Sequence, residues 1–125
     1  MTTTCFCGSV RPFSDCCEPL IAGERQAATA EELMRSRYSA YATTAVDYLL
    51  ATTHASTRKQ YPEEVLREWA SSNTWQRLDI SAFTETTVTF KAYYIDEDKE
   101  PQVHSEHSTF RKEDGRWYFV DGEVS

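Results

Sequence analysis

Apolar positions recur with two different periods along this chain, and the change falls near Asn73. Before it, Leu33, Met34, Tyr38, Tyr41 and Ala45 stand at helical spacing and form one apolar stripe. Thr29-Ala-Glu-Glu32, just ahead of that stripe, reads as a capping box: the threonine oxygen caps the first turn and the glutamate reaches back. Thr44-Ala-Val-Asp47 offers a second helix start leading into Tyr48-Leu49-Leu50, and Thr52–Thr57 is a break. Pro62 suits the first turn of a third helix, from Glu63 to about Ser71, with Val65, Leu66 and Trp69 facing inward. After Asn73 the period is two, and Trp75–Phe83, Thr87–Ile95, Val103–Lys112 and Arg116–Asp121 read as strands. Their connectors are short and polar, with Asp114-Gly115 a strong hairpin turn. Helices followed by an antiparallel meander predict an α+β domain, with the helices packed on one face of a curved four-stranded sheet.

One residue breaks the helical stripe. At 100° per residue Arg37 falls between Leu33 and Tyr41, inside the apolar face, whereas Arg35 falls outside it. A guanidinium on a buried face needs a carboxylate or a ligand anion. If Phe110 points into the core, alternation puts Ser108, Glu106 and His104 on the same inner face, and it groups Val88, Phe90, Ala92 and Tyr94 on the neighbouring strand. Two readings follow. Arg37 and Glu106 form a buried salt bridge that orients helix against sheet, or Arg37, Tyr38, Tyr41, His104, Glu106 and Ser108 line a ligand pocket. His104 and His107 lie on opposite faces of one strand and cannot share a metal, and His54 belongs to a loop.

The chemistry most visible in the chain lies at its beginning. All four cysteines fall in the first seventeen residues, as Cys5-Phe-Cys7 and Cys16-Cys17, with a Gly8-Ser9 turn after the first pair. Four soft ligands gathered at one end suit tetrahedral zinc, bound by thiolates at about 2.3 Å. Two disulfides would tie both members of the first pair to adjacent residues, a strained arrangement given Cα separations of roughly 4.4–6.8 Å. Loose or redox-active thiols are the third possibility. Met1-Thr-Thr-Thr carries neither a charged start nor an apolar run, so a cytoplasmic chain without a leader is expected.

Composition adds exclusions. Thirteen basic against twenty acidic residues give a formal charge of −7, which disfavours nucleic acid and anionic membranes as partners. No apolar run is long enough to span a bilayer. There is no Gly-x-Ser-x-Gly elbow, no phosphate-cradling glycine loop and no His-Glu-x-x-His helix. At 125 residues the chain has room for one compact domain besides the small clip.

Two resemblances are specific. Cys5-Phe-Cys7-Gly8-Ser9 with Cys16-Cys17 resembles the SEC-C motif, the zinc-binding segment first recognised at the C-terminus of the SecA translocation motor. The remainder is similar to the YchJ-like family of small bacterial proteins. It matches at Leu33-Met-Arg-Ser-Arg-Tyr38, Asp47-Tyr48-Leu49, His54, Glu106-x-Ser108-x-Phe110, Asp114-Gly-Arg-Trp-Tyr118 and Asp121-Gly122. The chain departs from that pattern at Thr53 and Ala55 around the histidine, and at His107 and Thr109.

The resemblance implies a SEC-C-like motif over residues 1–22 and a nuclear transport factor 2-like (cystatin-like) cone over 23–125. It implies one structural Zn2+ per chain on Cys5, Cys7, Cys16 and Cys17. It attaches no firm role to Arg35, Arg37, Tyr38, Glu106 or Ser108, which match the family pattern. Two functions are open, in a monomer or a homodimer. One is an interaction or adaptor module that docks a protein partner through the zinc clip. The other is a small-molecule-binding protein or enzyme of hydrolase, isomerase or dehydratase type. It would use the cone pocket, with Glu106 or His104 as general base and Arg37 holding an anionic substrate.

Overall fold

A computed structural model describes residues 4–124. The expected segment ends at Met1 and Ser125, and most of the stretch read for a leader, lie outside the described residues. Four α-helices precede four strands: α1 (Glu18–Ile21), α2 (Ala30–Ala42), α3 (Val46–Ala51), α4 (Glu63–Ser72), then β1 (Thr74–Phe83), β2 (Thr87–Ile95), β3 (Pro101–Glu113) and β4 (Arg116–Val124). The strands make one antiparallel sheet in the order β1-β2-β3-β4, and α2, α3 and α4 are the cone helices expected from the pattern.

Thr29 caps α2, its Oγ1 accepting the Glu32 amide at 3.0 Å. The reciprocal arm of the capping box is displaced: Glu32 Oε1 takes the amide of Ala28 and the Arg25 guanidinium instead. The stripe ends before Ala45, because Thr44 turns into the left-handed region (φ 57°) and separates α2 from α3. In α4, Leu66 and Ala70 are buried and Trp69 is partly so, but Val65 is 58% exposed, against expectation. Spacing explains the miss: Leu66, Trp69 and Ala70 complete an i, i+3, i+4 face, and Val65 lies 40° outside its partly exposed Trp69 edge.

The sheet buries one face. Leu78 on β1, Val88, Phe90 and Ala92 on β2, Ser108 and Phe110 on β3, and Trp117 and Phe119 on β4 pack against Leu33, Met34 and Tyr38 of α2. β3 and β4 both run beyond their expected ends. Their hairpin closes through Asp114 (φ 52°) and Gly115 (φ 81°), the two positive angles that a two-residue turn of this hand requires. A register shift after Thr109 pairs Phe110 with Phe119, while Ser108 faces Gly122. The break after α3 is sewn to the sheet edge: Phe119 donates its amide to Thr52 O, and Phe119 O accepts from His54. No helix among the described residues is long and apolar enough to cross a membrane.

Candidate functional site

The cysteines converge through backbone turns that their neighbours set. Gly8, at φ 91°, returns its amide to Cys5 O at 3.2 Å, and Cys5 N donates to Arg11 O at 2.8 Å. A 3₁₀ turn over Phe13–Asp15 then carries the chain to Cys16, and α1 starts directly after Cys17. All four sulfurs lie within 4.8 Å of one another, with Cys7 to Cys16 at 3.7 Å and Cys16 to Cys17 at 3.9 Å. A tetrahedron with metal–sulfur bonds of about 2.3 Å has edges of about 3.8 Å. The thiols therefore stand at coordination spacing rather than at the roughly 2.05 Å of a disulfide.

The set is electrostatically unsatisfied as bare thiols. Hydrogen bonding to Cys17 pulls the Cys7 thiol down to about 5, while the same interaction, with burial, pushes Cys17 far up. Burial also raises Cys16. The Cys7 thiolate forms at the expense of Cys17, a competition that a divalent cation would relieve. Cys5, Cys7 and Cys17 are buried and every ligand position is sulfur, which is the composition of a closed, structural metal site.

The clip is fastened to the cone. Arg35 Nη1 donates to Cys7 O at 2.8 Å while its Nε pairs with Glu31, and the fully buried Ser39 hydroxyl lies 3.5 Å from Cys5 Sγ. Arg25 Nη2 donates to Cys16 O. Arg35 was expected outside the apolar stripe, and the clip is what it meets there.

On the opposite side of α2, between helices and sheet, is a cavity of about 200 Å³. Arg37, Tyr38, Tyr41, His104, Glu106 and Ser108 all line it, joined by Tyr61, Trp69, Trp75, Phe90 and Phe119. Arg37 is 4% exposed. Its Nη1 donates to Leu49 O (2.9 Å) and Thr52 Oγ1 (2.7 Å), carbonyl and hydroxyl acceptors at the end of α3, and its plane lies 4.5 Å from the Phe119 centroid. Burial lowers its pKa, with the nearby tyrosines and Glu106 opposing the shift.

No ion pair joins Arg37 to Glu106, so the salt-bridge reading is corrected. Neutral acceptors hold the guanidinium, and Glu106 has partners of its own. His104 Nε2 donates to Glu106 Oε1 at 2.8 Å, and the Ser108 hydroxyl donates to Oε2. Burial pushes Glu106 up, but these two donors outweigh it, and the carboxyl sits below its usual value. A Cβ on Gly122 would lie 2.2 Å from Glu106 Oε2, so the carboxylate occupies the space that the glycine leaves.

The sequence pattern did not single out Gly122, Tyr61 or Phe119 as site residues. For Gly122 the signal was a glycine just beyond the expected end of the strand that pairs with β3. Trp75 anchors the aromatic wall, with Tyr41 at 5.6 Å and Trp69 at 5.7 Å between ring centroids. His54 is placed elsewhere. It is buried beside Tyr118, bonded to Ser56 and Glu113, and does not line the cavity.

Residues 29–122 match the family described as YchJ, middle NTF2-like domain. A UPF0225 protein of Geobacter sulfurreducens is 46% identical over 98% of this chain and 80% of its own length, and one of Actinobacillus succinogenes is 40% identical over 99% and 84%. The solution structure of a SEC-C motif containing protein from Rhodopseudomonas palustris superposes with a TM-score of 0.89 at 40% identity, covering 100% of this chain and 99% of that one. The crystal structure of a second such protein, from Psychrobacter arcticus, superposes at 0.80 with 28% identity, covering 98% and 83%.

Proposed function

The chain belongs to the YchJ-like family, and from that premise we propose that it is a zinc-stabilised small-molecule-binding protein whose ligand enters the cone cavity. The observation that carries this reading is a cavity lined by a buried arginine without an anionic partner among the described residues. Structural ion pairs normally satisfy a buried guanidinium, and a site that leaves one open to a cavity is arranged for a guest. The clip, with zinc on Cys5, Cys7, Cys16 and Cys17, supports α2, the helix that presents Arg37, Tyr38 and Tyr41. A closed four-thiolate zinc site has no position for water and acts structurally. Glu106, ionised and hydrogen-bonded to His104, is the group available for proton abstraction should the guest be a substrate.

The test is a ligand-observed NMR fragment screen on the metal-loaded chain, repeated on Ala92→Leu, which adds bulk inside the cavity. Fragments that bind the wild type and are lost with Ala92→Leu support the reading. No fragment, or binding indifferent to the added bulk, removes it.

A second role is favoured by one observation: Phe6 and Val10 on the clip are 45% and 90% exposed, an apolar surface suited to docking a protein partner. If the double substitution Phe6→Ser, Val10→Ser leaves the affinity of a purified interacting protein unchanged, docking through the clip is excluded.

A further inference from the structure

The cavity separates two opposite charges that do not meet. Every hydrogen bond of Arg37 leaves from Nη1; Nη2 and Nε make none among the described residues. No side-chain nitrogen or oxygen there is both sealed from solvent and unpartnered, so these two nitrogens keep some access to solvent, and Arg37 lines the cavity. Across the same space stands the Glu106 carboxylate. It accepts one hydrogen bond at each oxygen and keeps further lone-pair positions free. Tyr41, Trp75 and Phe90 give the same cavity an aromatic wall.

A guest carrying only a negative charge would satisfy Arg37 and meet Glu106 as a like charge. A guest carrying only a positive charge would do the reverse, and poor screening inside the cavity makes either mismatch costly. A molecule bearing both signs a few ångströms apart satisfies both.

We propose that the cavity takes a small zwitterion, an α-amino acid with one apolar side chain. Its carboxylate lies on Arg37 Nε and Nη2, its ammonium on Glu106, and its side chain against Trp75 and Tyr41. The proposal rests on the reading of the cavity as a ligand site and names the class of that ligand. Size agrees. An apolar cavity of about 150 Å³ holds benzene, so about 200 Å³ accommodates a molecule of leucine's dimensions.

The experiment compares leucine with 4-methylpentanoate, which lacks the ammonium, and 3-methylbutylamine, which lacks the carboxylate. Each is titrated into the metal-loaded chain while the indole N–H signals are followed. Trp69 and Trp75 line the cavity, and Trp117, whose indole donates to Ala28 O outside it, serves as internal control. Leucine is expected to shift Trp69 and Trp75 but not Trp117. It should bind roughly tenfold more tightly than either analogue, the worth of one charge-assisted hydrogen bond. In Glu106→Gln, leucine and 4-methylpentanoate should converge in affinity. If that variant does not fold, the wild-type series decides alone.

An analogue binding as well as leucine overturns the zwitterion while leaving the cavity a ligand site. Silence from all three compounds also overturns it. The fragment screen with Ala92→Leu then decides separately whether the cavity binds anything.

Discussion

Gly122 governs where Glu106 can be. Its missing side chain is the space that the carboxylate fills, so Gly122→Ala must push Glu106 out of its hydrogen bonds with His104 and Ser108 or bend β4 away. Those bonds are what hold the Glu106 pKa below the usual value against burial. A depressed carboxylate pKa contributes stability that is present above the unfolded value, about 4.3, and lost as pH falls through the folded value. In Gly122→Ala the Glu106 carboxyl, followed by carbon NMR, should titrate at higher pH than in the wild type, and the stability this group contributes above the unfolded value should shrink, so that less is lost on acidification. A Glu106 titration unchanged by the substitution would show that the glycine does not position it. At this scale, what could be read from the chain depended on whether partners are local or regular. The cysteines were legible because all four fall within one short run, and the burial of Arg37 because helical angle alone places it. The partners of Arg37 were not: they are a carbonyl and hydroxyls at the end of α3, which no spacing rule connects to position 37. A buried arginine and an inward glutamate on facing elements suggested a pair, and neutral acceptors took its place.

α2 has two working faces, and the sequence showed only the apolar one, with Arg35 outside it. Met34, Arg37, Tyr38 and Tyr41 turn to the cavity, while Arg35 and Ser39 turn to the clip. The second face carries no apolar pattern because its contacts are hydrogen bonds to a backbone carbonyl and a sulfur. The strands were legible from their period, since one face is buried along their whole middle. Their ends were not: the added ends of β3 are exposed on both faces and those of β4 are at most partly buried, where alternation has little to report. α1 escaped for a related reason, being four residues anchored by Leu20 and by the amide of Ile21 on Cys17 O. A single turn held by its neighbours has no periodicity of its own.

For the molecule as a whole, these two faces make the four-cysteine clip and the cavity parts of one structure. Removing the metal leaves four crowded thiols, three of them buried, and residues 4–22 lose the cross-link that holds their turns. The sheet should survive, because its pairing and the core under α2 do not pass through the clip. The cavity should nevertheless change: once Arg35 releases Cys7 O and Ser39 loses Cys5, two contacts that fix the rotation of α2 are gone, and Tyr38 and Tyr41 shift against Trp75. Native mass spectrometry should first find one zinc per chain. After chelation, amide signals of 4–22 should collapse toward unstructured values, those of the β3–β4 hairpin should stay, and the Trp75 indole should move. Amides and indole alike untouched by chelation would mean that the clip needs no metal. A disordered clip with an unmoved Trp75 indole would make it an independent appendage. Loss of the hairpin signals would mean that the metal holds the whole fold, and the cone would then have no stability apart from its clip.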